Sequence, residues 1–307
     1  MFWAKRIRKV FQLAEEISID DSSKFILMSD CHRGDGGFGD NFSKNENNYI
    51  AALDYYYGSG YTYIEIGDGD ELWEVRSFKD IMEAHEEIFV KLSKFYKENR
   101  LYFIFGNHDM EKKYDKFVKE NLYELFPNIK IHEGLVLNYK DTGDKIFLIH
   151  GHQAEIFNNY LWKIARFLVR YIWRPLELYG VNNPTRTAKN HEKKNKLARK
   201  LTEWVIKENQ MLISGHNHMP TFPEVGYPPY FNDGSCVHPR CITGIEIVQG
   251  KIMLVRWCTK VNRDGLLFVE RQIIAGPRRL KDYFNVRGNY NEPSIKTDKK
   301  QKVSESI

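Results

Sequence analysis

The sequence lacks long apolar runs and has few cysteines. No window holds the roughly 18 uncharged apolar residues that a membrane-spanning helix needs, so no spanning segment is expected. The four cysteines, Cys31, Cys236, Cys241 and Cys258, form no CxxC pair and no dense disulfide framework, which favours a reducing cytoplasmic location. The N-terminus also lacks the long apolar core and cleavage site of a secretory signal, so export is not expected.

Composition and charge indicate an ordinary globular protein. Hydrophobic residues make up 42% and charged residues 28% of the 307 residues, which excludes a fibrous or fully disordered chain. The length favours one domain with an insertion over two separate domains. The net charge is +5, and Lys and Arg concentrate at the start of the chain and in the stretch 186–200. Such runs are usually solvated helix faces, and an anionic partner is the alternative.

The N-terminal segment, residues 1–20, is predicted to form an amphipathic helix. Bulky residues recur on one side of residues 2–16, and basic residues occupy the other side. A helix of this kind either packs on the domain surface or contacts an anionic membrane peripherally, and both alternatives stay open. The apolar side consists of Phe2, Trp3, Ile7, Val10, Phe11 and Ala14.

Short apolar runs then alternate with helical patterns, which is typical of an α/β fold with parallel strands. Helices are predicted near 46–58, 78–98 and 111–125. The apolar runs end in clusters rich in Asp, Asn or His, and open α/β sheets bind ligands at the carboxyl ends of their strands. The active site is therefore expected along that edge of the sheet.

The main domain is predicted to span residues 21–286, with a helical cap inserted at about 155–209. The cap region is continuously helical in pattern and rich in bulky residues, from Phe157 and Tyr160 onward to basic turns around Pro184. After the cap, strand patterns return, and the QGK sequence predicts an antiparallel hairpin. The polar, Lys-rich tail, residues 287–307, is predicted to be disordered.

Polar clusters at five strand ends carry the chemistry. They combine carboxylates, imidazoles and one amide, a mixture that suits Mn, Fe, Zn or Mg better than a thiolate-bound metal. Cys31 alternates with its two neighbours on an extended strand end, so it should point away from any ligand site. The clusters are Asp30-Cys31-His32, Gly67-Asp68, Gly106-Asn107-His108-Asp109, His150-Gly151-His152 and Gly215-His216-Asn217-His218.

This series, D-x-H, GD, GNHD, HGH and GHNH, resembles the calcineurin-like metallophosphoesterase superfamily, and NDGS at 232–235 is similar to a later turn of that family. The resemblance implies a two-sheet β-sandwich flanked by helices, in four αββα layers. It also implies two divalent ions, Mn first, with Fe, Zn and Mg as alternatives. Asp30, His32 and His218 would hold one ion, Asn107, His150 and His216 the other, and Asp68 would bridge both.

Such a pair of cations can clamp a phosphoryl oxygen and lower the pKa of a bridging water, which then attacks phosphorus as hydroxide. His108 is expected to protonate the leaving oxygen or hold a phosphoryl oxygen, and Asp109 to orient His108. Arg33 is expected to contact phosphate, with a surface salt bridge as the alternative. Asn107 and His152 are also assigned to substrate binding, although His152 could equally be a ligand or support one.

Within the superfamily, the chain is most similar to UDP-2,3-diacylglucosamine pyrophosphatases, which also carry a helical cap, and its Glu71 and Trp73 resemble their acidic-aromatic segment. It departs from them in having GNHD and HGH. The working hypothesis is hydrolysis of a phosphorylated small molecule, either nucleotide-linked or lipid-linked. A phosphoprotein phosphatase and a nuclease are the alternatives, and a non-catalytic metal-binding scaffold ranks last. The oligomeric state is left open.

Overall fold

The computed structural model describes residues 2–155, 161–173, 191–286 and 288–291. Its strands are β1 (Glu15–Ile19), β2 (Lys24–Met28), β3 (Thr62–Ile66), β4 (Leu101–Ile104), β5 (Ile131–His132), β6 (Gly134–Tyr139), β7 (Asp144–Ile149), β8 (Met211–Ser214), β9 (Tyr230–Asn232), β10 (Cys241–Val248), β11 (Lys251–Val261) and β12 (Leu267–Arg279). Its α-helices are α1 (Phe2–Leu13), α2 (Glu46–Gly58), α3 (Phe78–Ala84), α4 (Glu86–Lys97), α5 (Asp115–Asn121), α6 (Trp162–Leu168), α7 (His191–Glu208) and α8 (Leu280–Asn285).

The strands form two sheets. The larger has the order β12-β11-β10-β2-β3-β4-β5, and the smaller has the order β1-β6-β7-β8-β9. Strands β2 to β5 run parallel, as do β7 to β9, so their carboxyl ends meet at common edges. Both sheets therefore offer a row of strand ends to a ligand site.

Alternating side chains explain why the two sheets pack together. Leu27 and Ile64 point into the core between the sheets, whereas their neighbours Ile26 and Tyr63 point into a second core beneath helices α2 and α4. Successive side chains of a strand face opposite sides, so a strand buried on both faces is continuously apolar. This arrangement confirms the predicted two-sheet fold with flanking helices.

Helices α1 and α7 cover the outer face of the smaller sheet. Ile7 and Val10 of α1 are buried against Val136 and Phe147 of the sheet and against Trp204 of α7. The helix predicted over residues 1–20 is thus shorter than expected, because it ends at Leu13 before strand β1. Its apolar side, except for the exposed Phe2, packs within the domain. Among the described helices, none combines the length and apolarity needed to cross a bilayer.

The two-residue turn between β10 and β11 confirms the predicted hairpin. Gln249 and Gly250 both have left-handed φ angles, 53° and 64°, as a type I′ turn requires. The resulting register places Cys241 opposite Cys258, and the two are disulfide-bonded. The sequence spacing of the cysteines gives no sign of this pairing, because a disulfide between neighbouring strands depends on the register of the strand pair.

Helix boundaries follow the predictions in part. Helix α2 coincides with the predicted 46–58 segment, whereas the predicted helix at 78–98 is divided at His85 into α3 and α4. Of the predicted cap, the structure describes α6, a π-helical continuation over Val169–Trp173, and α7. Phe157, Tyr160, Pro184 and most of the predicted tail lie outside the described residues.

The packing of α1 generates a stability prediction. Substituting Ile7→Ala should lower the free energy of unfolding by about 2–5 kcal/mol, because it leaves a cavity against the smaller sheet. Denaturant titration of the purified protein measures this change. Lys5→Ala, at an exposed position of the same helix, is the control and should change stability by less than about 0.5 kcal/mol. Equal effects of the two substitutions would show that α1 is not an integral layer.

Candidate metal centre

The centre lies where strand ends of both sheets converge. The larger sheet contributes the loops after β2, β3 and β4, and the smaller sheet contributes those after β7 and β8. Backbone hydrogen bonds join these loops directly, since the amides of Asp30 and His32 donate to the carbonyls of Gly67 and Asp68. These bonds connect the loops after β2 and β3, and the amide of Gly215 donates to the carbonyl of His150, which connects the loops after β7 and β8.

Five of the seven predicted ligands have left-handed backbone conformations. A non-glycine residue in this region is uncommon and carries a local conformational cost, of the order of 1–3 kcal/mol in constrained sites. In this conformation the chain turns sharply after each strand, which brings polar side chains that are close in sequence toward one point. Their φ angles are 52° for Asp30, 49° for His32, 50° for Asp68, 72° for His216 and 54° for His218.

Two glycines allow the loops to approach one another closely. A Cβ atom at Gly67 would lie 2.6 Å from the His150 ring, and one at Gly106 would lie 2.0 Å from Asp68 Oδ1. Neither contact is possible for a larger residue without displacing a predicted ligand. The glycines of the GD and GNHD motifs are thus required by the spacing of the site itself.

The ligand atoms fall into two groups. In the first, potential ligand atoms of Asp30, His32 and His218 all lie within 4.8 Å of one another. The second group consists of Asp68, His150 and His216, with the same limit. Imidazole and carboxylate groups at such separations match the donor set that borderline divalent metals prefer.

Short distances connect the members of each group. His218 Nε2 lies 3.0 Å from Asp30 Oδ1, and His150 Nε2 lies 3.1 Å from Asp68 Oδ2. His32 Nε2 lies 3.7 Å from Asp30 Oδ1 and 3.9 Å from Asp68 Oδ2, so this ring stands between the groups. Asp68 is accordingly placed next to both groups.

Several of these buried atoms form no hydrogen bond with any described residue. A buried polar atom without a partner costs about 1–3 kcal/mol, and a cation placed among several of them would remove that cost. This is the observation that best fits the residues to a metal. The atoms are Asp30 Oδ1, His32 Nε2, Asn107 Oδ1 and His150 Nε2. Asn107 is thus buried with its amide oxygen unsatisfied, as the prediction of a ligand requires.

Neighbouring groups orient the ligands. The His150 Nδ1 atom lies 2.8 Å from the carbonyl oxygen of Ile66, so its N–H donates there and Nε2 faces Asp68. The backbone N–H of His216 donates to Asp30 Oδ2 over 2.7 Å, and the Ser29 hydroxyl donates to the same oxygen over 2.5 Å. These contacts leave the other oxygen of Asp30 directed at the histidines.

Glu71, and not Asp109, orients His108. Glu71 Oε1 lies 2.7 Å from His108 Nδ1, while Glu71 Oε2 lies 2.8 Å from His32 Nδ1. The Trp73 ring stacks on His108 at a centroid distance of 4.3 Å, which sets the plane of the imidazole. The prediction for Asp109 is wrong because its carboxylate accepts hydrogen bonds from the Gly106 amide and from Lys112 instead.

The predicted phosphate contact of Arg33 is also wrong. Its side chain is fully buried, and its guanidinium group donates to both oxygens of Glu65 and to Asp70. Every nitrogen of the fork is therefore engaged behind the site. The surface salt bridge considered as an alternative is wrong too, since the pair has no exposure to solvent.

His152 lies beside the centre without joining either ligand group. It is fully buried, its ring centroid is 5.5 Å from that of His150, and neither ring nitrogen hydrogen-bonds to a described residue. Burial, followed by the electrostatic influence of His150, lowers the pKa of His152 well below its usual value. The ring is therefore neutral at physiological pH.

Some supporting residues are not evident from the sequence. Glu155, at the start of the predicted cap, places Oε2 at 2.9 Å from His216 Nε2, and Ser29 contacts both Asp30 and Asp233. Lys112 is buried three residues after Asp109. Single polar residues such as Glu155 and Ser29 form no sequence pattern that would identify them. Only the three-residue spacing of Asp109 and Lys112 could have indicated an ion pair on one turn.

Comparisons with known proteins bear on this geometry. The model of a family described as calcineurin-like phosphoesterase matches residues 23–220. A search of curated proteins finds no match to the sequence. Among solved structures, the chain is similar to Vps29 of Chaetomium thermophilum, at 10% sequence identity and a TM-score of 0.38, covering 83% of this chain and 96% of that one.

The charges of the centre predict proton release when the metal-free protein binds metal. Burial alone would lower the pKa of His150, but Asp68 and Asp30 outweigh it and raise the pKa to about 9. Metal ligation requires the neutral imidazole, so binding at pH 7.5 should release about one proton from this residue. Calorimetry in buffers of different ionisation enthalpy measures the release, which should decline as the pH rises through about 9.

The raised pKa of His150 also makes the stability of the metal-free protein depend on pH. Because the folded-state pKa lies above the ordinary value of 6.5, the charge of His150 stabilises the metal-free protein fully below about pH 6.5, and this stabilisation is lost as the pH rises through about 9. A binding enthalpy that does not depend on the buffer at pH 7.5 would contradict the assignment of His150 as a ligand.

Proposed function

Because the chain belongs to the calcineurin-like phosphoesterase family, we propose that it hydrolyses phosphoester or diphosphate bonds with two divalent ions held by the seven residues of the candidate centre. The observation that carries the proposal is the pair of ligand groups, Asp30-His32-His218 and Asp68-His150-His216, each gathered within 4.8 Å. Asn107 completes the second group. The donor set suits Mn, with Fe, Zn and Mg as alternatives.

Two ions in these positions would polarise the phosphoryl group and lower the pKa of the attacking water. The chain's own contribution is to hold the ligands in place before the substrate arrives. The left-handed backbone at Asp68 and the close approach of other loops to Gly67 and Gly106 restrict where the ligand side chains can lie. A site assembled in this way needs little reorganisation during the reaction.

His108 is the residue that supplies a proton to the leaving oxygen. Its Nδ1 atom is engaged by Glu71, so Nε2, on the opposite side of the ring, is the atom directed away from that carboxylate. Trp73 stacks on the ring and limits its rotation. In its protonated form His108 donates from Nε2, and Glu71 stabilises the charged ring in that state.

The packing of the cap against the site favours a small-molecule substrate over a protein substrate. Trp162 of α6 is buried with Trp73 and Met110 in one apolar cluster, next to His108. Arg170 donates to the carbonyl oxygens of Trp73 and Val75, at 3.0 and 3.1 Å, so the cap is tied to the loop that carries Glu71. We propose a nucleotide-linked or lipid-linked substrate bound between the cap and the metal centre.

A phosphoprotein phosphatase is the second candidate. The GNHD histidine, His108, together with its carboxylate partner Glu71, is the observation that favours it. An acid catalyst matters most when the leaving group is a poor one, such as the alkoxide of a serine side chain. The two candidates differ in the size of the leaving group that the cap admits.

The test is hydrolysis by metal-stripped protein reloaded with Mn, Zn, Fe or Mg. The panel comprises an aryl phosphomonoester, an aryl phosphodiester, a UDP-sugar, a UDP-acylsugar, a phosphoserine peptide and single-stranded DNA. We expect metal-dependent cleavage of a nucleotide diphosphate or of a simple aryl ester. Cleavage of the peptide or of DNA in preference to the others would select the phosphatase or the nuclease alternative. If the protein binds two metals but cleaves none of these substrates, the proposed hydrolase activity is contradicted.

Asp68→Ala should remove both activity and most of the binding of both metals, because that carboxylate belongs to one ligand group and its Oδ2 lies 3.9 Å from His32 Nε2 of the other. Metal content by elemental analysis and turnover of the best substrate measure the two effects. Glu83→Gln, at an exposed carboxylate of α3, is the control and should resemble the unaltered protein. Near-normal turnover of the Asp68→Ala protein would overturn the assignment.

His108→Ala should lower turnover by about 10²–10⁴-fold for substrates with poor leaving groups while leaving metal content unchanged. The physical reason is that a stable leaving anion needs no proton, so nitrophenyl esters should lose much less than alkyl esters. A series of esters of increasing leaving-group pKa measures this dependence. An equal loss for all leaving groups, or a parallel loss of metal, would assign His108 to binding instead.

A further inference from the structure

Behind the metal centre, buried charged side chains form one connected network. Its members come from strand β3 and from the loops after β2, β3 and β4. All are at most 3% exposed, and none belongs to the proposed ligand set. The network comprises Arg33, Glu65, Asp70, Asp109 and Lys112.

Lys112 lies at the centre of three carboxylates. Its ammonium nitrogen is 2.6 Å from Asp70 Oδ2, 2.8 Å from Asp109 Oδ2 and 3.8 Å from Glu65 Oε1. Oxygen atoms of the same three carboxylates all lie within 4.8 Å of one another, a spacing that a metal ion could bridge. The ammonium group therefore takes the position that a cation would require.

Arg33 neutralises the other side of the same carboxylates. Its guanidinium group binds both oxygens of Glu65, at 2.7 and 3.0 Å, and Asp70 Oδ1 at 2.7 Å. Two cations thus face three carboxylates in a region closed to solvent. Because buried charges are tolerated only when they are paired, loss of the Lys112 charge would leave two carboxylates in excess.

The network is joined to the loops that carry the proposed ligands. Asp109 accepts hydrogen bonds from the amide of Gly106, at 2.6 Å, and from the amide of Gly69, at 3.2 Å. Gly69 directly follows Asp68, and Gly106 directly precedes Asn107. One carboxylate, held by Lys112, therefore fixes the distance between the loops that present these two ligands.

We propose that Lys112 is a tethered cation that stands in place of a third metal ion, and that it positions the loops of Asp68 and Asn107 for metal binding. The inference rests on the proposed function, because the metal centre and the turnover that it supports both belong to that proposal. Lys112 would touch neither the substrate nor the metals. It acts through Asp70 and Asp109, and is thus a positioning residue.

The test compares Lys112→Met, which keeps the volume without the charge, with Lys112→Ala, which leaves a space for a small cation. Metal affinity is measured by calorimetry on folded protein, without substrate, alongside kcat and KM. The control is Lys113→Met, because this neighbouring lysine is exposed and lies outside the network. Propylammonium, which replaces the missing part of the lysine side chain, is the rescuing probe.

We expect both Lys112 variants to bind metal about 10–100-fold more weakly, the size typical of lost supports around a ligand. Propylammonium should restore part of the affinity of Lys112→Ala and none of that of Lys112→Met. The result that overturns the proposal is a Lys112→Met protein that binds metal as tightly as Lys113→Met and is merely less stable to heat. Absence of rescue in Lys112→Ala, with its affinity reduced, would equally overturn the idea of a tethered cation.

If Lys112→Met fails to fold, Asp109→Asn decides the matter. This substitution keeps the shape of the network and removes the carboxylate that connects Lys112 to the amides of Gly69 and Gly106. The proposal requires a similar loss of metal affinity, and unchanged affinity rejects it. Failure of the proposed function is separable, because unaltered protein that binds two metals yet cleaves nothing in the substrate panel leaves the affinity comparison intact.

Discussion

Buried polar atoms with too few partners are the constraint on which the rest of the structure depends. Asn107 Oδ1 and His150 Nε2 are enclosed at a point where two sheets meet, and neither forms a hydrogen bond with a described residue. Enclosing such atoms without hydrogen-bond partners costs free energy, which a cation bound among them would offset. The parallel strands, the tight loops and the outer helices together hold the atoms at this point.

The residues that support the metal centre tolerate fewer substitutions the closer they lie to it. The outermost layer, typified by α1, needs only an apolar face of the right period, and many side chains would serve. The loops tolerate fewer choices, since Gly67 and Gly106 meet ligand atoms at distances that admit no side chain. Behind them, Lys112 and Arg33 offset carboxylates that no solvent reaches. Specificity thus increases with burial and with charge.

Much of the fold can be predicted from the sequence because it follows from local periodicity, whereas the proposed ligand set comes from five polar clusters and their resemblance to the metallophosphoesterase motifs. Strand β4 is apolar along its length, and Asn107 follows shortly after its end, so the sequence indicates both the place and the chemistry of that side chain. The roles of Arg33, Asp109 and Glu71 could not be predicted, since side-chain direction at a strand end depends on which neighbour lies across the gap. The Cys241–Cys258 disulfide could not be predicted either, because it depends on the register of a strand pair.

The left-handed backbone at Asp30, His32, Asp68 and the GHNH histidines has a consequence for how this chain can evolve. Glycine and asparagine tolerate that conformation best, so replacing a ligand by either would relax the backbone. Without selection for metal binding, such replacements should therefore accumulate first at this centre, because each one would increase the stability of the fold. A lineage that kept only the scaffold should accumulate small residues at these positions. Aspartate and histidine at all five positions thus carry a conformational cost, which a cation bound by their side chains would offset.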